Sequence, residues 1–117
     1  SKLDEYVDYA HSLDMDVLVE INNYKDLEKV LKTNAKIIGI NNRNLRDFSV
    51  DLNTTIKLSK EIPSNYLIIS ESGINKKKDI QLLNQEGKID GILVGESFIK
   101  AKDISAHAKE LRDGYSS

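Results

Sequence analysis

The chain has 117 residues, which is room for one ordinary domain, and its formal net charge is only −2 although 31% of its residues are charged. Because the two signs of charge are interspersed and no basic stripe occurs, nucleic acid is not an expected partner. The absence of cysteine excludes disulfides and thiolate chemistry. No apolar run is long enough to span a membrane and the first residues show no signal-peptide pattern, so we expect a cytoplasmic protein without a membrane partner.

Hydrophobic periodicity predicts helices and strands in strict alternation along the chain. An amphipathic helix comes first, with apolar residues at helical spacing between Leu3 and Leu13. Four predicted strands follow: residues 17–21, the apolar run that begins at Ile37 and leads into Asn41, residues 66–70 and residues 91–94. A helical pattern comes after each of them, so the sequence predicts one helix followed by four strand-helix units.

Local signals predict where the helices begin and end. Asp51, Asn75 and Asp103 are expected to cap the helices that follow the second, third and fourth strands. Pro63 is expected to stop the helix after the second strand, because the residue before a proline is pushed out of helical geometry. Gly87 is expected to end the next helix in the usual C-terminal position.

The alternation predicts an α/β fold with parallel strands and right-handed crossovers. Two arrangements are compatible with it: an open doubly wound sheet, and part of a (β/α)8 barrel, which needs about 250 residues when complete. Polar or glycine residues stand at the carboxyl end of every predicted strand, whereas an open sheet binds ligands mainly at one switch point. We therefore expect residues 1–117 to form one domain that is half of a (β/α)8 TIM barrel, with four parallel strands.

The first two strand ends carry residues suited to catalysis or binding. Glu20 interrupts an apolar strand, where lost hydration would raise its proton affinity and suit a general acid or base, unless it lies at the rim and reaches water. Asn41 and Arg43 are two residues apart, so in extended geometry they point the same way and could bind a hydroxylated, carboxylated or phosphorylated ligand. The alternative is that this segment is a turn and that Arg43 pairs with a neighbouring carboxylate.

The last two strand ends carry glycine and serine, in Ser72-Gly73 and in Gly95-Glu96-Ser97. Glycine lets backbone N–H groups approach an oxyanion closely, and a following helix N-terminus adds positive potential. Loops after the last two strands of a barrel often form such a phosphate site. Each glycine by itself could equally be a tight-turn residue. Without cysteine or paired histidines, no metal site is expected.

Four motifs occur in a fixed order along the chain. They are Met15-Asp16-Val17-Leu18-Val19-Glu20, then Ile38-Gly39-Ile40-Asn41-Asn42-Arg43-Asn44-Leu45 with Phe48 and Val50-Asp51-Leu52, then Ser70-Glu71-Ser72-Gly73-Ile74, and last Leu93-Val94-Gly95-Glu96-Ser97. In order and spacing they resemble the indole-3-glycerol phosphate synthase family. The resemblance covers essentially the whole chain but only the C-terminal half of the family's barrel, so the first four strands and the family's catalytic lysines are absent. A small departure is Phe98-Ile99, where Leu-Met is common.

The resemblance implies a lyase of tryptophan biosynthesis. The family closes the indole ring of 1-(2-carboxyphenylamino)-1-deoxyribulose 5-phosphate with loss of carbon dioxide and water, and it uses no cofactor. By resemblance, the catalytic residues are Glu20, Asn41 and Ser72. The residues implied to bind the phosphorylated substrate are Arg43, Glu71, Gly73, Leu93, Gly95, Glu96 and Ser97.

Because the lysines are missing, we expect the chain alone to be inactive. Because a half barrel exposes its inner face and two strand edges, we expect it to associate with the missing N-terminal half or with a second copy of itself, unless a helix moves to cover that face in a rearranged, doubly wound monomer. One alternative is a non-catalytic phosphate-binding or assembly module built on the same half barrel. Another is a different phosphate-binding barrel such as phosphoribosylanthranilate isomerase, which the Glu-Ser-Gly-Ile and Asn-Asn-Arg-Asn-Leu motifs disfavour.

Overall fold

The computed structural model describes residues 2–94 and 104–116. Its centre is a sheet of four parallel strands in the order β1-β2-β3-β4. The strands are β1 Leu18–Ile21, β2 Ile37–Asn41, β3 Leu67–Glu71 and β4 Gly91–Leu93. Neighbours in the sheet are neighbours in the chain, which is the strand order of a barrel rather than of a doubly wound sheet.

Helices alternate with these strands, as the sequence predicted. They are α1 Lys2–Ser12, α2 Tyr24–Leu31, α3 Asn53–Ser59, α4 Lys77–Glu86 and α5 Ile104–Ser116. The expected α/β fold of four parallel strands alternating with helices is therefore confirmed, and the arrangement is that of half a (β/α)8 barrel. None of the helices in residues 2–94 and 104–116 has both the length and the apolar character that a membrane crossing requires.

The register of the strands divides the sheet into two faces. One face, the helix face, consists of Val19, Ile21, Ile38, Ile40, Ile68, Ser70 and Ile92. Apolar residues from all five helices pack with these side chains in two clusters, which include Val7, Leu27, Leu58, Leu83 and Leu111. The five described helices therefore cover the same side of the sheet.

The opposite face, the open face, has no helix packed on it among the described residues. It consists of Leu18, Glu20, Ile37, Gly39, Asn41, Leu67, Ile69, Glu71, Gly91 and Leu93. Leu18, Leu67 and Leu93 are 42%, 53% and 58% exposed on it. Such exposure is what half a barrel gives, because its inner face lacks the opposite strands that would cover it.

The predicted helix ends are partly as expected. The Asp51 carboxylate accepts a hydrogen bond of 2.9 Å from the N–H of Asn53, the first residue of α3, but the residue at the N-cap position is Leu52, whose side chain makes no capping bond. Asp51 therefore supports the start of α3 from one residue before the predicted cap position. Asn75 does not cap α4. Instead, Asp79 within that helix reaches back and accepts hydrogen bonds of 2.9 Å from the N–H groups of Asn75 and Lys76.

Gly87 ends α4, but not through the left-handed geometry that makes glycine usual there. Its φ is −104°, and its N–H donates to the Leu83 carbonyl at 2.9 Å. A Cβ at this position would lie 2.9 Å from the same carbonyl oxygen, so close approach is the reason for glycine. The cap predicted at Asp103 lies outside the described residues.

Candidate active site

Three polar side chains meet on the open face at the carboxyl ends of the strands. They are Glu20 on β1, Asn41 on β2 and Glu71 on β3, which we call the strand-end cluster. Asn41 and Glu71 are direct neighbours in the strand register, and the Asn41 Nδ2 group donates a hydrogen bond to Glu20 Oε1. The Asn41 Oδ1 atom accepts from the N–H of Arg43 at 3.0 Å, so the amide is fixed at both ends. Residues 51 positions apart in the sequence thus form one polar site.

Glu71 is the buried carboxyl of this cluster, with 8% of its surface exposed. Burial raises the pKa of Glu71 from an ordinary value of 4.5 to about 7, and the hydrogen bond to Glu20 and the negative charge of Glu20 act in the same direction. A carboxyl with a pKa near neutrality can both hold and release a proton at the pH of the cell, which suits general acid-base work. Glu20 itself is exposed, so of the two readings of that residue the structure favours the rim position.

Gly39 provides the space that Glu71 occupies. It stands beside Glu20 in the strand register. A Cβ on Gly39 would lie 3.2 Å from Glu71 Oε2 and 2.7 Å from Leu18 Cδ2. The sequence carried a signal for this position, because a glycine inside a strand often marks a close approach. We did not single out Gly39 from the sequence, and its part in the site comes from the structure.

Ser72 and Gly73 follow Glu71 in an unusual backbone conformation. Their φ angles are +71° and +76°, in the left-handed region that disfavours side chains. Gly73 also packs so tightly against the loop that follows β2 that a Cβ would lie 2.2 Å from Val50 Cγ1. Local geometry therefore requires glycine at 73, whatever else its N–H group does. Ser72, by contrast, keeps a side chain at a strained position, which is typical of functional sites.

Arg43 and Leu93 lie next to the strand-end cluster. The backbone of Arg43 forms an antiparallel bridge with Val50, and its carbonyl accepts from the Nδ2 group of Asn22 at 2.9 Å. The same Nδ2 group also donates to the Asn41 carbonyl at 2.8 Å, so Asn22 ties the β1 loop to the β2 loop. Leu93 is the register neighbour of Glu71 on the open face.

Gly95, Glu96 and Ser97, the remaining predicted site residues, lie outside the described residues. The structure thus places seven of the ten predicted site residues at one edge of the sheet: Glu20, Asn41, Arg43, Glu71, Ser72, Gly73 and Leu93. This agreement concerns where the seven residues lie and not what each of them does in a reaction.

A buried polar network that the sequence analysis missed lies behind the cluster. It joins Asn42, Thr55 and Ser70, each of which is 0–1% exposed. The Thr55 N–H and Oγ1 donate to Asn42 Oδ1 at 3.1 and 2.7 Å, and the Asn42 Nδ2 group donates to Ser70 Oγ at 3.0 Å. Nothing in the sequence marks these three as partners, because they come from the loop after β2, from α3 and from β3.

The fold and this site define the class of the protein as an α/β protein built on parallel βα units, with an ionisable cluster at the carboxyl ends of its strands. A solved structure titled "Native KDPGal structure" has the same fold, with a TM-score of 0.69 over 92% of this chain and 51% of that chain. The two sequences are 14% identical, so this likeness concerns the fold alone.

Sequence comparison gives the family. A family model for indole-3-glycerol phosphate synthase matches residues 1–111, and the chain belongs to that family. A relative named indole-3-glycerol phosphate synthase from Leuconostoc mesenteroides subsp. mesenteroides is 47% identical over 111 residues, which are 95% of this chain and 42% of the relative. Relatives of the same name from Acetivibrio thermocellus and Thermoanaerobacter sp. are 44% and 45% identical, over 88% and 97% of this chain and 39% and 45% of their own lengths. The chain therefore spans less than half the length of these relatives.

Proposed function

We propose that this chain supplies the C-terminal half of the active site of an indole-3-glycerol phosphate synthase. The reaction is the closure of the indole ring of 1-(2-carboxyphenylamino)-1-deoxyribulose 5-phosphate, with loss of carbon dioxide and water and without a cofactor. Family membership supports the proposal, and the observation that carries it is the strand-end cluster on the open face of the sheet.

The chemistry of ring closure suits this cluster. The ring carbon that bears the carboxylate bonds to the ketone carbon, and carbon dioxide leaves as the ring becomes aromatic again. The former ketone oxygen then gains two protons and departs as water, while the neighbouring CH2 carbon loses one proton to form the double bond of the new ring. A carboxyl that holds a proton near pH 7 can deliver one, and burial gives Glu71 that property. The Asn41 amide holds the Glu20 carboxylate in one orientation beside it, which favours positioned proton transfer.

We assign the individual roles by the family resemblance. By that resemblance Glu20, Asn41 and Ser72 are catalytic, and the other predicted site residues bind the substrate: Arg43, Glu71, Gly73, Leu93, Gly95, Glu96 and Ser97. The raised pKa of Glu71 adds proton transfer to its binding role. By the same resemblance, Gly73, Gly95 and Ser97 are assigned to the phosphate cradle. The chain needs the remainder of the barrel, including its lysines, for turnover.

Complementation tests this proposal. The chain is to be co-expressed with the N-terminal portion of the Leuconostoc relative, and formation of the indole product is to be followed by fluorescence. We expect turnover from the pair and from neither part alone. Glu20→Gln and Glu71→Gln should each lower turnover by at least about 10²-fold, the usual worth of a positioned acid or base. Glu28→Gln, on the exposed side of α2, is the matched control and should leave turnover unchanged.

Two outcomes would contradict the proposal. A pair that turns over equally well with Glu20 and Glu71 both replaced would remove the cluster from the chemistry. A pair that assembles and binds inorganic phosphate but gives no product would favour the non-catalytic phosphate-binding module instead.

A further inference from the structure

Asn42 has every hydrogen-bonding group of its side chain occupied. It is 1% exposed, and its amide makes four hydrogen bonds. Oδ1 accepts from the N–H and the hydroxyl of Thr55, and Nδ2 donates to Ser70 Oγ and to the Ser72 carbonyl, both at 3.0 Å. Two donors and two acceptor positions are all that an amide has, so no capacity is left for a ligand.

Asn42 is also the anchor of the turn that follows β3. Its backbone N–H donates to the Glu71 carbonyl at 2.8 Å, and its side chain donates to the next carbonyl, that of Ser72. Both peptide groups that set the direction of Glu71 and Ser72 are therefore held by one residue. Ser72 has a φ of +71°, a conformation that persists only when its surroundings hold it.

The Asn42 side chain contacts the site from the helix-face side of the sheet. Its partner Ser70 belongs to the helix face, whereas Asn41 and Glu71 belong to the open face. A substrate on the open face finds no free group on Asn42, because the residue is 1% exposed and its amide is fully hydrogen-bonded. Asn42 can therefore affect the site only through the backbone of the turn that follows β3.

We propose that Asn42 is a positioning residue that fixes the turn after β3 and so aims Glu71 and Ser72 at the open face. The importance of those two side chains for turnover rests on the proposed function, but the geometric claim does not. Loss of the Asn42 amide should release the turn, let water reach Glu71, and move its carboxyl away from Glu20.

The test follows the Glu71 carboxyl directly, with 13C labelling and an NMR titration of the whole chain without substrate. In the unaltered chain we expect a midpoint for Glu71 near 7, and in Asn42→Ala we expect it to fall toward 4.5. Thr55→Val is the matched control. It removes a buried hydroxyl from the same network but keeps both bonds that Asn42 donates, so the Glu71 midpoint should stay where it is.

A purely structural role would lower the melting temperature of both variants and leave the Glu71 midpoint of both unchanged, which would overturn the proposal. An equal fall in both variants would also overturn it. If Asn42→Ala does not fold, Asn42→Leu replaces it, because it keeps the approximate size, loses the two donors and adds no charge beside Glu71. Since the titration uses no substrate, a failed complementation assay would leave the titration result unaffected. A failed titration test would likewise leave the complementation result unaffected.

Discussion

At the scale of single residues, the two carboxyls of the site differ through their surroundings. The sequence drew attention to Glu20, because a charge inside an apolar strand is costly when buried. The structure exposes Glu20 and buries Glu71 instead. The sequence around a strand does not reveal which of its side chains will be buried by the adjacent strands of the sheet. Glu71 is buried because β3 is an inner strand.

The raised pKa of Glu71 predicts a pH-dependent stability. The folded chain holds the Glu71 proton with a pKa of about 7 against an ordinary 4.5, so folding is favoured by the protonated form. This contribution is present in full below about pH 4.5 and is lost as the pH rises through 7. We expect it to amount to about 1–3 kcal/mol, and Glu71→Gln should remove it and flatten the pH profile.

Urea unfolding between pH 4 and 8 measures this effect, read as the difference between variant and unaltered chain at each pH. Glu28→Gln is the control, because its carboxyl lies exposed on α2 and should leave the profile as it was. Parallel profiles for Glu71→Gln and the unaltered chain would show that Glu71 is not the group responsible.

At the scale of secondary structure elements, the order of helices and strands could be predicted because apolar periodicity reports it directly. The face of the sheet on which each strand residue lies could not be predicted. In the run Ile37-Ile38-Gly39-Ile40 nearly every residue is apolar, so alternation gives no sign that Ile38 and Ile40 lie under the helices while Gly39 lies on the open face. The Asn42 network was equally hidden, since its members meet only when α3 packs against the sheet.

Helix α4 shows how a cap can be assigned to the wrong residue. Asn75 has the right chemistry and lies just before the helix, yet it donates its own N–H to the Asp79 carboxylate. Asp79→Ala should therefore lower the free energy of unfolding by about 0.5–2 kcal/mol, the usual worth of a lost cap. Asn75→Ala, the comparison variant, should cost much less. Thermal or urea denaturation measures both, and a larger loss for Asn75→Ala would restore the sequence-based assignment.

At the scale of the whole molecule, the sheet has one face packed and one face open. The five described helices all lie on the helix face, whereas leucines at positions 18, 67 and 93 are 42–58% exposed on the other. Each such side chain left in water forgoes roughly 1.5–3 kcal/mol, which is large against a typical domain stability of about 5–15 kcal/mol. Within the described sheet, β1 and β4 also have one edge each without a strand partner, and such edges invite strand addition.

We therefore expect the chain to associate through its open face, as a two-fold dimer when it is alone and with the rest of a barrel when that is present. Sedimentation velocity over a concentration series should show a dimer that dissociates on dilution. Leu67→Lys puts a charge on an inner strand of the open face and should weaken association at least tenfold. Leu82→Lys places the same charge on α4, at a site 41% exposed, and should leave association unchanged. A compact monomer with a cooperative melt at every concentration would contradict this expectation, because the open face would then be stable in water on its own.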